Sequence, residues 1–219
     1  QTKTILAPQP ICYGTVENYS YLVLEYLPLS KGNNSSWIKM GQQLALLHQF
    51  QGESRFGWHQ NNTIGATPQI NDWCDNWANF FAEKRIGYQL QLANRRGANF
   101  PECDRTIAKV RDYLQSRKPS PSLVHGDLWS GNASFTSEGI PVIFDPALYY
   151  GDREVDIAMT ELFGGFPPDF YRGYNQQYPL DSGYAQRKEI YNLYHILNHF
   201  NLFGGSYLSQ AKSILHKLL

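Results

Sequence analysis

The middle of the sequence reads Leu123-Val124-His125-Gly126-Asp127-Leu128-Trp129-Ser130-Gly131-Asn132, and Val142-Ile143-Phe144-Asp145-Pro146 follows after a short interval. This layout is typical of a phosphoryl-transfer catalytic loop. One Asp there accepts the substrate hydroxyl proton, an Asn shortly after it holds a metal ion, and a second Asp beyond a β-turn binds Mg²⁺. Mg²⁺ takes oxygen ligands, and a tight loop brings the Asn132 amide oxygen beside a carboxylate of the next strand. The pattern predicts a catalytic base at Asp127, outside the metal shell, and a Mg²⁺ site at Asn132 and Asp145.

Each of these residues also has an ordinary structural interpretation. His125 and Asp127 are typical of hydrogen-bonded turns, and Asn132 tolerates a left-handed backbone. Their order is more informative than any one of them, because a predicted strand precedes them and a predicted hairpin follows, with Asp145 at its far end. The combination favours the kinase-like interpretation.

The β-forming segments are few and lie in two places. Residues 10–14 and 19–26 predict the two strands of a hairpin, after a stretch at residues 1–6 that is typical of the last turn of a helix. The second place is the catalytic-loop stretch itself, where a turn at residues 137–139 predicts a short hairpin. These strands are a minor part of the chain.

The rest of the chain is mostly helical in pattern, so the sequence predicts an α+β fold. Asn34 or Ser35 is expected to cap the first helix and Asp72 the second. Residues 52–70 lack an apolar period and predict a long ordered loop. Apolar residues at three- and four-residue steps predict helices over residues 36–50, 73–88, 102–117, 153–163, 169–177, 184–202 and 207–218.

The motif stretch at residues 125–132 resembles the catalytic loop of the fructosamine (ketosamine-3) kinase family, which is related to the aminoglycoside and choline phosphotransferases. Phe144-Asp145-Pro146-Ala147 resembles the metal-binding triplet of that family. The resemblance runs almost end to end. Trp129 and residues 151–166 separate the chain from the aminoglycoside and choline branches. Residues 62–69 and 194–205 also resemble family segments.

The resemblance implies a protein-kinase-like, aminoglycoside phosphotransferase-like fold. It also implies ATP-dependent phosphorylation of the sugar 3-hydroxyl of small or protein-bound ketosamines, which leads to deglycation because the modified adduct is unstable. Carried over onto this sequence, Asp127 is the base, and Asn132 and Asp145 are the Mg²⁺ ligands. The hinge is then Leu24-Glu25-Tyr26-Leu27, with the backbone of Glu25 and Leu27 facing adenine. A phosphotransferase that acts on another small hydroxyl compound is the alternative enzyme.

Four residues are candidates for contact with the substrate. Trp129 is expected to stack on the sugar face, with a core Trp that pins the loop as the alternative. Asp152 and Glu154 are expected near the cleft mouth, where they would receive the cationic amine of the substrate. Their alternative is plain helix N-terminal chemistry, because acidic residues there suit the helix dipole. His199 is the fourth candidate.

Two further residues are expected to support the site without touching the substrate. His125 is interpreted as structural, with hydrogen bonds to the backbone. Asp156 lies one turn into a predicted helix beneath the loop and is interpreted as a hydrogen-bond acceptor that anchors the loop. The spacing of His195 and His199 would suit a metal, but no third ligand joins them at helical spacing.

The composition argues against several classes of protein. The chain has 219 residues, with 19 Lys+Arg against 19 Asp+Glu, and it is 42% hydrophobic and only 17% charged, which argues against disorder. Balanced charge gives no electrostatic reason to expect nucleic acid or a membrane as partner. No signal-peptide pattern opens the chain, and the three cysteines form no CxxC pair. These features favour a reducing, cytoplasmic compartment, and the oligomeric state stays open.

A kinase of this type also needs a glycine-rich turn over the phosphates and a strand Lys paired with a helix Glu. Neither pattern precedes Pro10, and Lys3 lies in the predicted helical turn. We therefore expect residues 1–31 to be a remnant of the N-lobe with the hinge, and residues 32–219 to form a helical C-lobe with the catalytic loop. We expect this chain alone to bind ATP weakly and to turn over poorly or not at all. A non-catalytic, substrate-binding remnant is the interpretation from a different class.

Overall fold

A computed structural model of the chain describes residues 3–218. A hairpin of β1 (Pro10–Val16) and β2 (Tyr19–Leu24) comes first, as predicted. The predicted helical turn is wrong for residues 3–6, and residues 1 and 2 lie outside the described residues. Leu6 instead forms a parallel bridge to Val142, because its backbone adds to the edge of a later strand.

Two small sheets hold the catalytic-loop stretch in place. The strands β3 (Leu29–Ser30), β7 (Ala133–Thr136) and β8 (Pro141–Ile143) form one antiparallel sheet in the order β3-β7-β8. β6 (Ser122–Val124) pairs with β9 (Tyr149–Gly151) in the other. The loop at residues 125–132 therefore connects one sheet to the other, and the predicted hairpin after it is confirmed.

Helices make up most of the remainder, as the apolar periodicity predicts. A π-helical segment, Phe81–Gly87, joins α2 (Trp77–Phe80) to α3 (Tyr88–Arg95). The other helices are α1 (Asn34–Gln49), α4 (Cys103–Leu114), α5 (Glu154–Leu162), α6 (Pro168–Gln177), α7 (Tyr184–Phe203) and α8 (Tyr207–Leu218). None of the helices within residues 3–218 has the length and apolar character needed to cross a membrane.

Both predicted helix caps are wrong. The cap of α1 is Asn33, whose side chain accepts a hydrogen bond from the Ser36 amide at 2.9 Å. The cap of α2 is Asn76, whose side chain accepts from the Asn79 amide. Asp72 lies before that helix and pairs with Lys84 at 2.7 Å.

The predicted long loop at residues 52–70 contains a short hairpin of β4 (Asn62–Ile64) and β5 (Thr67–Gln69). Gly65 lies in its turn with φ +57, a left-handed conformation that glycine adopts without strain. Three-residue strands are too short to show an alternating pattern, so they could not be predicted from periodicity.

The loop at residues 125–132 lies between two hydrophobic clusters. The larger one packs α2, α3, α4, α7 and α8 around side chains such as Trp77 and Tyr191. The smaller one packs α1 and α6 against Phe135 and Phe170. Val124, just before the loop, belongs to the first cluster, and Leu128, within it, belongs to the second. The loop is thus fixed from both sides.

Candidate active site

Asp156, on α5, holds the start of the 125–132 loop. Its Oδ2 accepts from the His125 amide at 2.7 Å, and its Oδ1 accepts from the Gly126 amide at 2.8 Å. The ring of His48, on α1, lies 3.1 Å from the same Oδ2. Burial alone would raise the pKa of Asp156, but the hydrogen bond and charge of His48, together with His125 and the Gly126 amide, lower it. Asp156 therefore remains an ionised acceptor inside the protein.

His125 joins the loop to the strand that leads to Asp145. Its Nε2 lies 3.0 Å from the carbonyl oxygen of Phe144, and its Nδ1 lies 3.3 Å from the Asp127 amide nitrogen. A carbonyl only accepts and an amide N–H only donates, so the hydrogen is on Nε2. Burial lowers the pKa of His125, which keeps the ring neutral.

Asn132 and Asp145 lie side by side at the two ends of the β7–β8 hairpin. The Asn132 Nδ2 donates to the Asp127 carbonyl oxygen at 2.9 Å and lies 3.4 Å from the Asp145 carbonyl oxygen. Because the amide nitrogen is committed to the loop, the amide oxygen is the atom that Asn132 can offer to a cation. Asp145 is exposed and has φ +57, an uncommon backbone conformation for this residue type.

These two side chains fit Mg²⁺ in chemistry and in number. One carboxylate and one amide oxygen are ligands that Mg²⁺ accepts, and the ion fills its other positions with water and phosphate oxygens. Within residues 3–218, no group of three or more His, Cys, Asp or Glu side chains is arranged to hold a metal ion. Asn132 and Asp145 are thus the side chains that would hold the ion.

Asp127 adjoins this pair, with its Oδ2 3.4 Å from Asn132 Nδ2. Its pKa is raised to about 6, mainly by burial and also by the negative charges of Asp145 and Asp156, while the hydrogen bond from Asn132 opposes the rise. Its side chain keeps 21% of its surface exposed. A partly exposed carboxylate with a raised pKa is a better proton acceptor than an ordinary Asp.

Trp129 lies at the surface of the loop. The side chain is 39% exposed, which excludes the alternative of a core Trp. Its ring covers Gly131, and any β-carbon at that position would clash with it. An exposed aromatic face thus lies two residues beyond Asp127 in the chain.

The structure contradicts the substrate-binding roles expected for Asp152 and Glu154. Both carboxylates are fully buried. Asp152 accepts from Arg117 Nε at 2.7 Å and from the Tyr191 hydroxyl at 2.9 Å. Glu154 pairs with both Arg187, at 2.7 Å, and Arg117, at 3.4 Å. The arginines already neutralise these carboxylates, so neither is available to a cationic amine.

His199 lies on α7 in an aromatic setting. Its Nδ1 donates to the His195 carbonyl oxygen, at 2.8 Å, and its ring lies 4.6 Å from that of Phe163 and 5.1 Å from that of Tyr207. Burial lowers its pKa. With Nδ1 occupied by the helix backbone, only Nε2 remains for a ligand.

The expected hinge begins at Leu24, the last residue of β2, and ends at Leu27. Leu24 is 39% and Tyr26 is 87% exposed. The Glu25 amide donates to the Gln9 carbonyl oxygen at 2.8 Å, so the Glu25 carbonyl, and not its amide, is the group left for adenine. Leu27 is half-buried.

Sequence reasoning missed the side chains that fix the segment after Asp145. Gln69 Nε2 donates to the Ala147 carbonyl oxygen at 3.0 Å, and Asn62 Nδ2 donates to the Leu148 carbonyl oxygen at 2.8 Å. Both come from the β4–β5 hairpin. The sequence signal that could have found them is the stretch at residues 62–69, which resembles a family segment. It contains no catalytic motif, so no role was predicted for it.

The chain as a whole has counterparts among known proteins. The model of the fructosamine kinase family matches residues 1–219. The probable ketoamine kinase of Synechocystis sp. is 60% identical over 218 residues, which cover 100% of this chain and 74% of that protein. The probable ketoamine kinase of Vibrio parahaemolyticus is 50% identical over 222 residues, which cover 100% of this chain and 76% of that protein.

Solved structures are similar as well. The crystal structure of the "Putative fructosamine-3-kinase" from Haemophilus somnus 129PT has a TM-score of 0.94 at 38% identity and covers 100% of this chain and 75% of that one. The GDP complex of aminoglycoside 2'-phosphotransferase-IIIa has a TM-score of 0.60 at 11% identity and covers 97% of this chain and 75% of that one. The second likeness concerns the fold alone.

Proposed function

The chain belongs to the fructosamine kinase family, and from this membership we propose that it transfers a phosphoryl group from Mg·ATP to the sugar 3-hydroxyl of a ketosamine. It is a phosphotransferase with a protein-kinase-like, aminoglycoside phosphotransferase-like fold. One observation carries the proposal: the Asn132 side chain contacts the carbonyl oxygens of both Asp127 and Asp145, so the three residues lie together at the catalytic loop.

Asp127 acts as the base in this proposal. Its carboxylate accepts the proton of the attacking hydroxyl. The raised pKa of Asp127, about 6, lies closer to neutral pH than that of an ordinary Asp, which makes the carboxylate a better proton acceptor there. The Asn132 and Asp145 oxygens hold Mg²⁺, which neutralises charge on the phosphates when it is bound. Asp156 and His125 keep the loop in position, since Asp156 accepts from the two amides that precede Asp127 and the His125 ring joins the loop to the Phe144 carbonyl oxygen beside Asp145.

Trp129 provides the acceptor subsite. An exposed ring two residues beyond the base in the chain suits the apolar face of a sugar, and His199, on α7, keeps its Nε2 for a polar contact with the substrate. The hinge at residues 24–27 receives adenine. A Trp129→Ala variant that folds and keeps its ketosamine affinity would contradict the stacking role.

The proposal extends to deglycation in the cytoplasm. Phosphorylation at the 3-hydroxyl makes the adduct unstable, so that the amine is released. Cys12, Cys74 and Cys103 are free thiols, which suits a reducing compartment. An acceptor other than a ketosamine is the second candidate, because the wider fold also occurs in an aminoglycoside phosphotransferase.

A panel of acceptors tests the proposal. The complete product of the reading frame that encodes these residues is assayed with Mg·ATP and fructoselysine, ribuloselysine, an aminoglycoside or choline, with the product identified by ³¹P NMR. We expect phosphorylation of the ketosamines only. The Asp127→Asn variant, which keeps the shape but loses the base, is expected to lower kcat about 1,000-fold. Phosphorylation of choline or the aminoglycoside, with ketosamines untouched, would overturn the assignment.

A further inference from the structure

One buried polar group next to the base has no partner. His195, on α7, is only 3% exposed, and its Nδ1 is buried without a hydrogen bond within the described residues. The nearest carboxylate oxygen is Oδ1 of Asp127, at 4.0 Å. Nearly all buried polar atoms in proteins are hydrogen-bonded, so an exception beside a catalytic group calls for an explanation.

The chemistry of the two groups decides the hydrogen position on the ring. Burial is the main reason that the pKa of His195 is lowered to about 3; His199 and Arg85 act in the same direction, and Asp156 opposes them. The ring is therefore neutral and carries a single N–H. An ionised carboxylate only accepts hydrogen bonds, so a hydrogen on Nδ1 is attracted by Asp127, whereas a lone pair there would be repelled.

The Asp127 carboxylate is held loosely from both sides. Its Oδ2 lies 3.4 Å from Asn132 Nδ2, and its Oδ1 lies 4.0 Å from His195 Nδ1. Both distances exceed those of a good hydrogen bond. A small rotation of this partly exposed side chain brings Oδ1 within reach of His195, whose own ring is fixed by its burial.

We propose that His195 is a positioning residue for Asp127: its Nδ1–H donates to Oδ1 and thereby turns Oδ2 toward the acceptor hydroxyl. The inference rests on the proposed function, since it assigns Asp127 as the base. In the reaction, the O–H bond of the acceptor breaks and its proton goes to Oδ2. The hydroxyl oxygen forms a bond to the γ-phosphorus of ATP, while the bond from that phosphorus to the bridging oxygen breaks and ADP leaves. His195 keeps its proton throughout.

Kinetic constants of three variants test the role. His195→Phe keeps the ring but removes the donor, whereas His195→Asn retains an N–H close to the position of Nδ1. Asn192→Leu is the matched control, because Asn192 lies on the same helix and its Oδ1 is also buried without a partner. We expect His195→Phe to lower kcat about 100-fold, with the KM values for ATP and for the ketosamine unchanged. His195→Asn is expected to recover most of the wild-type kcat, and Asn192→Leu is expected to have the wild-type kcat.

The outcomes separate the inference from the function on which it rests. If the wild-type protein phosphorylates no ketosamine, the proposed function fails. If it does, and a folded His195→Phe variant keeps its kcat, the positioning role fails. An Asn variant no faster than the Phe variant also contradicts the role, because the retained donor should rescue the rate.

A spectroscopic measurement gives a readout that needs no turnover. Protein labelled with ¹⁵N in its histidines is compared with its Asp127→Ala variant at neutral pH. We expect His195 to be neutral with the proton on Nδ1, and its Nδ1 resonance to shift when the carboxylate is removed. A hydrogen on Nε2, or no shift in the variant, would overturn the inference.

Discussion

At the scale of single residues, the Asp156 side chain connects segments that no sequence pattern links to one another. One buried carboxylate accepts from two successive loop amides and lies 3.1 Å from the ring of His48 on another helix. The prediction of a loop anchor came from its place one turn into α5. The partner on α1 was not predictable, because 108 residues separate the two in the sequence.

Removal of this carboxylate is expected to weaken the whole fold. Asp156→Ala leaves the two loop amides and His48 without an acceptor inside the protein, so we expect the free energy of unfolding in urea to fall by about 3–5 kcal/mol. Asp169→Ala is the control, because Asp169 pairs with the exposed Arg172 on one helix, an interaction worth less than about 1 kcal/mol. Equal losses in the two variants would contradict the anchor.

His195 also makes stability depend on pH. Its pKa falls from 6.5 to about 3 on folding, so the unfolded chain takes up a proton near pH 6.5 that the folded chain refuses until much lower pH. Stability is therefore lost as pH falls below 6.5, and at pH 5 this group alone costs about 2 kcal/mol. Urea unfolding at pH 7 and pH 5 measures the loss. We expect the loss of unfolding free energy between pH 7 and pH 5 to be about 2 kcal/mol smaller in the His195→Phe variant than in the wild type. The same loss in both proteins would contradict the lowered pKa of His195.

At the scale of elements, long helices were predictable and their ends were not. The apolar face of α7 continues for several turns, so its periodicity is unambiguous. At the start of α1, however, Asn33, Asn34 and Ser35 are all good caps, and only the backbone geometry selects Asn33. The π-helical turns at Phe81–Gly87 arise from packing and have no signal of their own in composition.

The contact between α1 and α6 depends on two glycines. A β-carbon on Gly41 would clash with the Phe170 backbone, and one on Gly173 would clash with the Ile38 backbone. In an ordinary helix, Gly→Ala stabilises by about 1 kcal/mol. We expect Gly41→Ala instead to lower the free energy of unfolding by about 1–3 kcal/mol, because the helices must separate. Thermal and urea unfolding measure the change, with the exposed Leu46→Ala as control, and a stabilised Gly41→Ala variant would contradict the close contact.

At the scale of the whole molecule, the sequence predicted the contiguous part of the site far better than its distant contacts. Asp127 and Asn132 occur in one short loop, so their spacing carries the information. Asp152 was misassigned because its partner, Arg117, lies 35 residues away at the end of another helix. A charge near a motif indicates an electrostatic role, but only the tertiary structure shows which charges neutralise one another.

The β1–β2 hairpin differs from the rest of the molecule in its exposure. Within residues 3–218 it pairs with no other strand. Apolar side chains are exposed on both of its faces, including Tyr13 at 83% on one face and Val16 at 60% on the other. The division of the chain at residue 31 stays a prediction, and this exposure supports it, because the hairpin belongs to neither hydrophobic cluster.

Free strand edges with exposed apolar side chains favour pairing with another chain. We therefore expect a polypeptide of these 219 residues to self-associate as its concentration rises, measured by sedimentation equilibrium. Tyr13 and Leu22 are cross-strand partners, so Tyr13→Lys with Leu22→Glu places opposite charges across the hairpin and preserves it. This double variant is expected to stay monomeric, whereas Leu46→Glu, which removes an exposed apolar side chain from α1, is expected to associate like the wild type. A wild-type chain that stays monomeric at every concentration would contradict the assignment of the hairpin as the associating surface.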